Sequence, residues 1–283
     1  MSRRPGPTLR RRKLIKELVA ARNAAQLSQR DLAAAMDLRG GTISKIENGQ
    51  QGLTVRNIRG IGQATGLSKA KIDELLVLAA NDGNKEDWLV EFRGEMPDWF
   101  ELFPALEQEA DQIWTYFSEL VDGLLQIPAY AEAVARAGIL DITEEQLRRG
   151  IELRTARQDL LDQEDPPELH VILNEAVVTR QVGGKATMRD QIQHMITMAQ
   201  RPNITIQVLP FSAGAHPGMK TGYVLLRFPE GYDDVDCVYL ENSNGGVWQE
   251  RSDHVVRYTE IFTRQRSLAL SPRSSLALLT SLV

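Results

Sequence analysis

The stretch from Leu27 to Gly49, LSQRDLAAAMDLRGGTISKIENG, constrains the fold of this chain most, because its polar residues fall where two short helices would begin and end. Ser28 is followed three residues later by Asp31, which is the spacing of a capping box at a helix N-terminus. Apolar residues then lie at helical spacing on one face: Leu32, Ala35 and Met36. This pattern predicts a first short helix.

The second half of the stretch predicts another short helix after a tight, glycine-containing turn. Thr42 is placed to cap this helix, and Ile43 and Ile46 give it an apolar face. Asn48 and Gly49 are expected to end it, because both residue types tolerate the left-handed backbone conformation found after a helix C-terminus. Two short helices joined in this way are typical of DNA-binding domains, and also of helix corners that serve packing alone.

Charge is segregated along the chain, which favours the DNA-binding interpretation. Residues 1–80 contain 15 Lys or Arg and 6 Asp or Glu, a net charge of +9, whereas residues 81–283 contain 18 and 32, a net charge of −14. A basic N-terminal part attached to an acidic body suggests that only the basic part meets a polyanion. The alternative is a charged surface that merely faces solvent, and the segregation makes it the weaker interpretation.

Composition limits the class of protein. The hydrophobic content of 42 % and the charged content of 25 % are typical of globular proteins. No apolar run approaches the length of about 18 residues that a membrane helix requires, and the N-terminus lacks the apolar segment of a secretory signal. The single cysteine, Cys237, excludes an intramolecular disulfide and any zinc site made of cysteines. We therefore expect a cytoplasmic protein without membrane contact.

A basic arm is predicted at the N-terminus, with its first part kept extended by Pro5, Gly6 and Pro7. Its cations are Arg3, Arg4, Arg10, Arg11, Arg12 and Lys13. Such an arm can lie on phosphates or enter a minor groove, or it can be a solubilising tail. We assign residues 1–8 to the arm and count Arg10, Arg11 and Arg12 among the DNA-binding candidates.

Residues 9–80 are predicted to form a compact all-α domain of five helices. Besides the two short helices, the apolar pattern predicts helices from about Leu9 to Ala25, from Val55 to Thr65 and from Ser68 to Ala80. The last of these has a buried stripe made of Ile72, Leu75, Leu76 and Ala79. A bundle of this kind is consistent with a helix-turn-helix domain.

The motif LSQRDLAAAM…TISKIENG resembles the Xre/phage-repressor helix-turn-helix family, over about residues 9–80. The resemblance implies a recognition helix from about Gly40 to Glu47. It places base-edge contacts at Gly40, Gly41, Thr42 and Lys45, and a phosphate contact at Gln29. It also implies an ion pair between Arg22 and Glu47 that ties the first helix to the recognition helix. Ser44 and Asn48 complete the DNA-binding candidates.

The chain departs from this family at Gly40 and Gly41, where relatives often have Gln or Ser. Glycine has no side chain to read a base and is unfavourable inside a helix. Direct readout would then depend on Thr42, Lys45 and Arg39, since lysine can donate to guanine and a threonine methyl can pack on thymine. The alternative is that Arg39 and Lys45 contact only phosphates.

A polar, turn-rich segment at residues 81–86 predicts a linker, and residues 87–283 a second, acidic domain. Its pattern predicts helices from near Pro104 to Phe117, from a capping box at Thr143 to about Leu161, over Met188–Gln200, and over Arg251–Arg266 and Pro272–Leu282. Strands are predicted at Leu169–Leu173, Ile204–Leu209, Tyr223–Phe228 and Cys237–Leu240. The fold class is therefore a multidomain protein, with an all-α domain followed by an α+β domain whose sheet is mostly antiparallel.

The acidic domain resembles the C-terminal domain of a large group of actinobacterial Xre-type regulators that are described as antitoxin-like. The resemblance depends on LLQIPAYA at 124–131, Arg154 with Arg157-Gln158, Asn174-Glu175-Ala176, VLPF at 208–211 with Gly214 and His216, and Tyr239-Leu240-Glu241. Such regulators are frequently encoded beside a very small protein. The resemblance implies a body that senses a partner or an effector, and it assigns no catalytic residues.

Catalysis is not expected, because the chain has no nucleophile elbow, Walker loop, zinc-protease motif or dinucleotide fingerprint, and we predict no cofactor and no metal site. His216, on a glycine-flanked loop, is a candidate for ligand binding or pH sensing, or it caps a turn. Arg154, Arg157 and Glu175 either line a pocket or form an ion pair within the domain.

These observations predict a sequence-specific DNA-binding transcriptional regulator that binds an operator in double-stranded DNA. We expect a homodimer, since one headpiece contacts only a few base pairs. The acidic domain would sense a small protein encoded nearby, and the competing idea is a small-molecule pocket near His216. The alternatives in other classes are an antitoxin-like module that mainly sequesters a small cognate protein, and an enzyme with a tethered DNA-binding domain.

Overall fold

The structure is a computed structural model that describes residues 7–80, 100, 102–242 and 245–283. The described residues fall into two compact units, one containing residues up to 80 together with 230–235, and the other containing the remaining residues from 100 onward. We call the part within residues 7–80 the helical domain and the second unit the α/β domain. The predicted linker at 81–86, and Arg3 and Arg4 of the predicted arm, lie outside the described residues.

Five helices form within residues 7–80, as predicted. They are α1 (Pro7–Ala24), α2 (Gln29–Ala35), α3 (Thr42–Glu47), α4 (Val55–Ala64) and α5 (Lys69–Ala80). The first helix begins earlier than predicted, because proline is well tolerated in the first turn of a helix. Arg10, Arg11 and Arg12 lie in α1, within the helix predicted from about Leu9, and they are half-buried.

The caps of the two short helices agree with the sequence in part. The capping box of Ser28 and Asp31 is confirmed at the start of α2. Thr42 was expected to cap α3, but Gly41 occupies the cap position with φ +85° and Thr42 is the first helical residue. At the other end Gly49 has φ +71°, as predicted, whereas Asn48 has φ −87° and does not enter the left-handed region.

One core holds the helical domain together. Residues from all five helices meet in it: Leu14, Leu18, Leu32, Ala33, Ile43, Ile46, Ile58, Ile61 and Leu75. Leu76 and Ala79 of the predicted stripe on α5 pack against this core while partly exposed. Burial of Ile43 and Ile46, each 1 % exposed, fixes which side of α3 faces outward.

The α/β domain places helices around one six-stranded sheet. The strands are β1 (Gln112–Phe117), β2 (Glu168–Asn174), β3 (Ile204–Leu209), β4 (Tyr223–Arg227), β5 (Cys237–Asn242) and β6 (Gly245–Gln249). The helices are α6 (Leu102–Glu107), α7 (Pro128–Gly138), α8 (Glu144–Gln158), α9 (Glu175–Thr179), α10 (Gly184–Met198), α11 (Ser252–Leu268) and α12 (Pro272–Ser281). The predicted capping box at Thr143 is confirmed at the start of α8, and Ser271 caps α12 by accepting a hydrogen bond from the Ser274 N–H.

The strand order is β3-β2-β1-β4-β5-β6. Three of the five pairings are antiparallel, in line with the predicted α+β class. The pairs β1–β2 and β2–β3 are parallel, which makes the sheet mixed. Helices α7 and α8 connect β1 to β2, and α9 and α10 connect β2 to β3, as parallel neighbours require.

Two strands were not predicted. Residues 112–117 were expected to extend a helix from Pro104, but α6 ends at Glu107 and QIWTYF forms the central strand β1. Its aromatic and β-branched residues suit a pleated, buried surface, and the same residues also match helical spacing over so short a segment. Strand β6 begins with Gly245 and Gly246. Because glycine is depleted in strands, the sequence pattern did not indicate a strand there.

The two faces of the sheet have different neighbours. Tyr116 is aligned with Tyr223 in β4, and both contribute to a core that includes Phe262 of α11. Adjacent residues of a strand point to opposite faces, so Thr115 points away from α11. On that other face Tyr239 of β5 packs on Phe103 of α6, with ring centroids 4.5 Å apart. We call these the α11 face and the α6 face.

The edge strand β3 is bonded to the last part of the chain. The Leu270 N–H donates to the Val208 carbonyl at 2.9 Å, and the Val208 N–H donates to Ser275 Oγ at 2.9 Å. Gln207 Nε2 donates to the Leu270 carbonyl at 2.8 Å. Ser275 is fully buried, so α12 and the residues before it are firmly attached to this edge.

Candidate functional site

The outward side of α3 forms a polar row in the helical domain. Ile43 and Ile46 face the core, and Lys45 and Asn48 are exposed on the opposite side. Asn48 Nδ2 donates weakly to Ser44 Oγ at 3.4 Å. Thr42 is half-buried at the start of the row. This surface has the size and polarity of a helix that enters a major groove.

The chain differs from the Xre/phage-repressor family at Gly40 and Gly41, and the turn before α3 requires glycine at only one of these positions. Gly41 adopts φ +85°, a conformation that strains any residue with a Cβ. Gly40 is different, since neither its φ nor any neighbouring atom requires glycine there. Arg39, Gly40 and Gly41 are all exposed. Without side chains at 40 and 41, the backbone of the turn can approach a phosphate closely.

Three polar side chains connect α1, α2 and α3. Arg22 Nε and Nη2 donate to the two carboxylate oxygens of Glu47, at 2.6 and 3.0 Å. The two side chains are only 13 % and 9 % exposed. Arg22 Nη1 also donates to the Leu27 carbonyl at 2.8 Å. Gln29 Nε2 donates to Glu47 at 2.7 Å, so the residue assigned to phosphate contact is oriented by the ion pair.

Arg11 supports the far end of α3. Its Nη2 donates to the Gly49 carbonyl at 2.7 Å. The Gly49 and Gln50 N–H groups bond back to Ile46 and Lys45, which closes the helix with a Schellman motif. Arg11 is thus used inside the domain, which leaves it less available to DNA than the sequence suggests.

A buried ion pair dominates the α6 face of the α/β domain. Arg157 Nε and Nη2 donate to Glu107 at 2.8 and 2.9 Å, and both residues are at most 7 % exposed. The Arg157 guanidinium also lies over the rings of Phe100 and Phe103, 5.4 and 5.1 Å from their centroids. The predicted ion pair of Arg157 therefore exists, but its partner is Glu107 and not Glu175.

Arg154 lies one turn before Arg157 on α8 and donates to Gln126 Oε1. Burial and the nearby charge of Arg157 lower the pKa of Arg154 to about 10. Asp122 is 4 % exposed and accepts from the Leu124 N–H at 2.8 Å, and burial raises the pKa of its carboxyl. Arg154 and Arg157 thus lie near three acids, Glu107, Asp122 and Glu241, as in a structural ion network.

A second polar network lies on the α11 face. Tyr223 Oη donates to Gln265 Oε1 at 2.6 Å, and the Gln265 amide lies 3.4 Å from His216 Nδ1. The other ring nitrogen of His216 lies 3.4 Å from Tyr116 Oη. Tyr116, Tyr223 and Gln265 are at most 2 % exposed. Burial lowers the pKa of His216, which favours the neutral ring.

The four residues that we grouped as one possible effector site are therefore divided. Arg154 and Arg157 belong to the α6 face, whereas His216 belongs to the network on the α11 face. Glu175 lies at the carboxyl end of β2, where its Oε2 accepts from the Phe211 N–H at 2.7 Å. The structure does not bring these four side chains into a single pocket.

A cavity of about 280 Å³ opens beside the His216 network. Its ten lining residues come from the loop at 217–221, from Tyr223, from the end of β6 and from α11: Pro217, Gly218, Lys220, Thr221, Tyr223, Gln249, His254, Arg257, Tyr258 and Ile261. Gly218 lies against Gln265, because a Cβ there would be 2.0 Å from Gln265 Nε2. The wall next to His216 thus depends on a residue without a side chain.

Two family models match parts of this chain. A family model described as "Domain of unknown function (DUF5753)" matches residues 100–281, more than half of the chain. The chain belongs to the DUF5753 family. A second model, described as "Helix-turn-helix" (HTH_3), matches residues 18–72. No curated protein and no solved structure matches the chain.

The DUF5753 match spans the whole described sheet, both polar networks and the cavity. The helix-turn-helix match spans α2, α3 and the Arg22–Glu47 pair. These ranges agree with a helix-turn-helix regulator of the Xre type. The family description names neither a partner nor a ligand, so the antitoxin-like resemblance stays a prediction.

Sequence reasoning missed several residues of the DUF5753 domain that the structure brings together. Glu107 lies 50 positions from Arg157, so sequence spacing could not identify these two residues as an ion pair. Lys220 and Arg257 belong to no sequence motif, and only the structure shows that they line the same cavity. Within the described ranges, no group of three or more His, Cys, Asp or Glu is arranged to hold a metal ion, and no helix has the length and apolarity needed to cross a membrane.

Proposed function

We propose that this chain is a cytoplasmic transcriptional regulator that binds an operator through α3. The observation that supports this proposal best is the exposed polar row of α3, on a part of the chain with a net charge of +9. Cations that neutralise phosphates release counterions and give affinity, and side chains in the major groove give sequence preference.

The roles of the residues follow from their exposure. Lys45, Thr42 and Arg39 are proposed to read base edges, and Gly40 and Gly41 to let the turn approach the backbone. Gln29, Ser44 and Asn48 are proposed to contact phosphates or sugars. Arg10, Arg11 and Arg12 contribute charge from α1, with Arg11 chiefly holding the end of α3.

A homodimer is proposed for the working form. A single helix-turn-helix reads too few base pairs for useful discrimination, so two copies on a palindromic operator are the usual arrangement. The domain boundaries proposed for this form are residues 9–80 for DNA binding and residues 87–283 for regulation, joined by 81–86.

The DUF5753 domain is proposed to sense an effector. The cavity on its α11 face favours a small molecule as that effector. A second candidate is a small protein encoded nearby, including the antitoxin-like case in which its sequestration is the main task. The net charge of −14 on residues 81–283 favours selective pairing with a basic protein rather than with nucleic acid.

Selection of bound fragments from randomised duplex DNA by the full-length protein tests the proposal. We expect enrichment of one palindromic sequence, with affinity that falls steeply as salt concentration rises. If no sequence is enriched over the input, specific DNA binding is wrong. Repeating the measurement with the purified product of a neighbouring short reading frame tests the protein-partner candidate, because a true partner must change operator affinity.

A further inference from the structure

The cavity on the α11 face has a charge that contrasts with its domain. Residues 81–283 contain 32 Asp or Glu against 18 Lys or Arg, yet none of the ten lining residues is acidic. Two of them are cations, Lys220 and Arg257. An acidic domain that excludes carboxylates from one concave surface provides a local attraction for anions.

Both cations of the cavity are exposed. Among the described residues, neither Lys220 nor Arg257 has a carboxylate within ion-pair distance. Arg148 and Arg251, by comparison, are paired with Glu152 and Asp253.

The rest of the wall is suited to an organic ligand. Tyr223 and Tyr258 meet edge to face with ring centroids 5.0 Å apart, and Ile261 adds an apolar surface. The Tyr223 ring is fixed by its hydrogen bond to the buried Gln265. Fixed aromatic walls with a few polar groups are typical of small-molecule sites, and the volume lies near the lower end of the usual range of about 300–1,000 Å³.

We propose that this cavity binds a small organic anion, a carboxylate or a phosphate ester, with Lys220 and Arg257 as its charge partners. The planar guanidinium of Arg257 can bind either group through two parallel hydrogen bonds. Lys220 adds a flexible point charge. The tyrosines and Ile261 would contact the apolar part of the ligand. As a binding site the cavity stands on its own, and as an effector site it rests on the function proposed above.

Calorimetric titration of the full-length protein, without DNA, tests the binding site. The probes are benzoate, phenyl phosphate and the neutral amide benzamide. We expect benzoate or phenyl phosphate to bind at millimolar concentration or below, at least about 10-fold more tightly than benzamide. The stronger of the two anions identifies the ligand class. If neither anion binds, or if benzamide binds equally well, the proposal is wrong.

Two variants locate the binding. Lys220→Ala combined with Arg257→Gln should weaken binding of the preferred anion about 10- to 100-fold. Arg264→Gln is the matched control, because Arg264 is an exposed arginine on α11 that does not line the cavity. It should bind the anion as the parent protein does. Equal affinity in the parent and the double variant would place the anion elsewhere and overturn the proposal.

A separate measurement keeps this inference distinct from the proposed function. The operator affinity of the full-length protein is compared with and without a saturating amount of the preferred anion. A change supports an effector role for the cavity. Anion binding without a change in operator affinity leaves the site correct and shows that these probes are not effectors, whereas failure of DNA binding concerns the helical domain alone.

Discussion

Gln29 and Glu47 are joined across the helix-turn-helix by a hydrogen bond of 2.7 Å from Nε2 to Oε2. Glu47 is itself held by two hydrogen bonds from Arg22. A residue proposed to contact DNA is therefore positioned by a carboxylate that belongs to the interior of the domain. Stability and DNA affinity should be linked through this one carboxylate.

The first prediction separates those two effects. Glu47→Leu leaves the Arg22 guanidinium without its partner and should lower the free energy of unfolding of the helical domain by about 3–5 kcal/mol. The change also frees Gln29. Replacing both residues, Arg22→Met with Glu47→Leu, should cost much less, because no buried charge is stranded. Hydrogen exchange of the backbone amides of α2 and α3 measures the loss in the full-length protein.

The double variant supplies the contrast for this prediction. Its helices should be stable while Gln29 has no carboxylate to orient it. We expect it to bind DNA more weakly than the parent even where its stability is restored. If the single variant were as stable as the double one, the ion pair would be of the weak kind found at exposed surfaces.

The second prediction concerns readout by α3. Lys45→Ala should reduce the difference in affinity between operator and random DNA, by about 1–3 kcal/mol if the lysine reads a base edge. Gln29→Ala should weaken binding to both by a similar factor. Lys69→Ala is the control, since Lys69 is an exposed lysine on α5, away from α3. If Lys45→Ala lowered the affinity for operator and for random DNA equally, Lys45 would contact only phosphates.

The third prediction is a loss of stability of the α/β domain in acid. His170 is packed edge to face on Phe262 and bonded to Gln207, and burial, with Arg266 nearby, lowers its pKa. Below the ordinary histidine pKa of about 6.5 the unfolded chain therefore binds more protons than the folded one. The stability due to neutral His170 is present above that pH and is lost as the pH falls through the folded pKa.

Denaturant unfolding between about pH 7 and pH 5 measures this effect. His170→Gln should make the dependence of stability on pH shallower. Some slope should remain, because burial also lowers the pKa of His194 and of His216. A slope identical to that of the parent would show that His170 does not contribute.

The fourth prediction compares two glycines of the α/β domain. Gly218→Ala would place a Cβ 2.0 Å from the Gln265 amide, which is buried and bonded to Tyr223, and should destabilise the domain by about 1–3 kcal/mol. Gly150→Ala, at an exposed position within α8 with no atom within 4 Å of the new Cβ, should stabilise it by about 0.5–1 kcal/mol. Thermal unfolding of both variants gives the comparison.

A further readout follows from the same pair of variants. Gly218→Ala should also weaken anion binding in the cavity, because its wall shifts with Gln265, whereas Gly150→Ala should leave binding unchanged. Should Gly218→Ala be as stable as the parent, the loop at 217–221 would have moved to accept the methyl group.

The sequence predicted those parts of the fold that depend on local chemistry. The capping boxes at Ser28 and Thr143 are formed by residues three positions apart, so each could be read directly. Strand β1 was misread as helix because QIWTYF is apolar at both spacings. Its strand conformation is decided by β2 and β4, which pair with it from more than 50 and more than 100 residues away.

The candidate sites show the same difference between features that depend on neighbouring residues and features that depend on distant segments. The polar row of α3 could be predicted, since it lies within one short helix and the buried Ile43 and Ile46 determine its outward side. The partner of Arg157 could not be predicted, nor could the presence of Lys220 and Arg257 in one cavity. Each depends on the approach of distant segments, Glu107 in α6 in one case and the loop at 217–221 with α11 in the other.

The attachment of α12 to β3 has a consequence for how this protein avoids pairing its sheet edge with the strands of other molecules. Strand β3, ITIQVL, is rich in β-branched residues and uncharged, which is the composition of segments that stack into intermolecular sheets. An open edge of this kind is a template for a strand of another molecule. Because Leu270 and Ser275 occupy the hydrogen-bonding groups of Val208, a foreign strand finds no partner there. Proteolytic removal of the residues from 270 onward would expose that template, and aggregation would then be the first sign of damage.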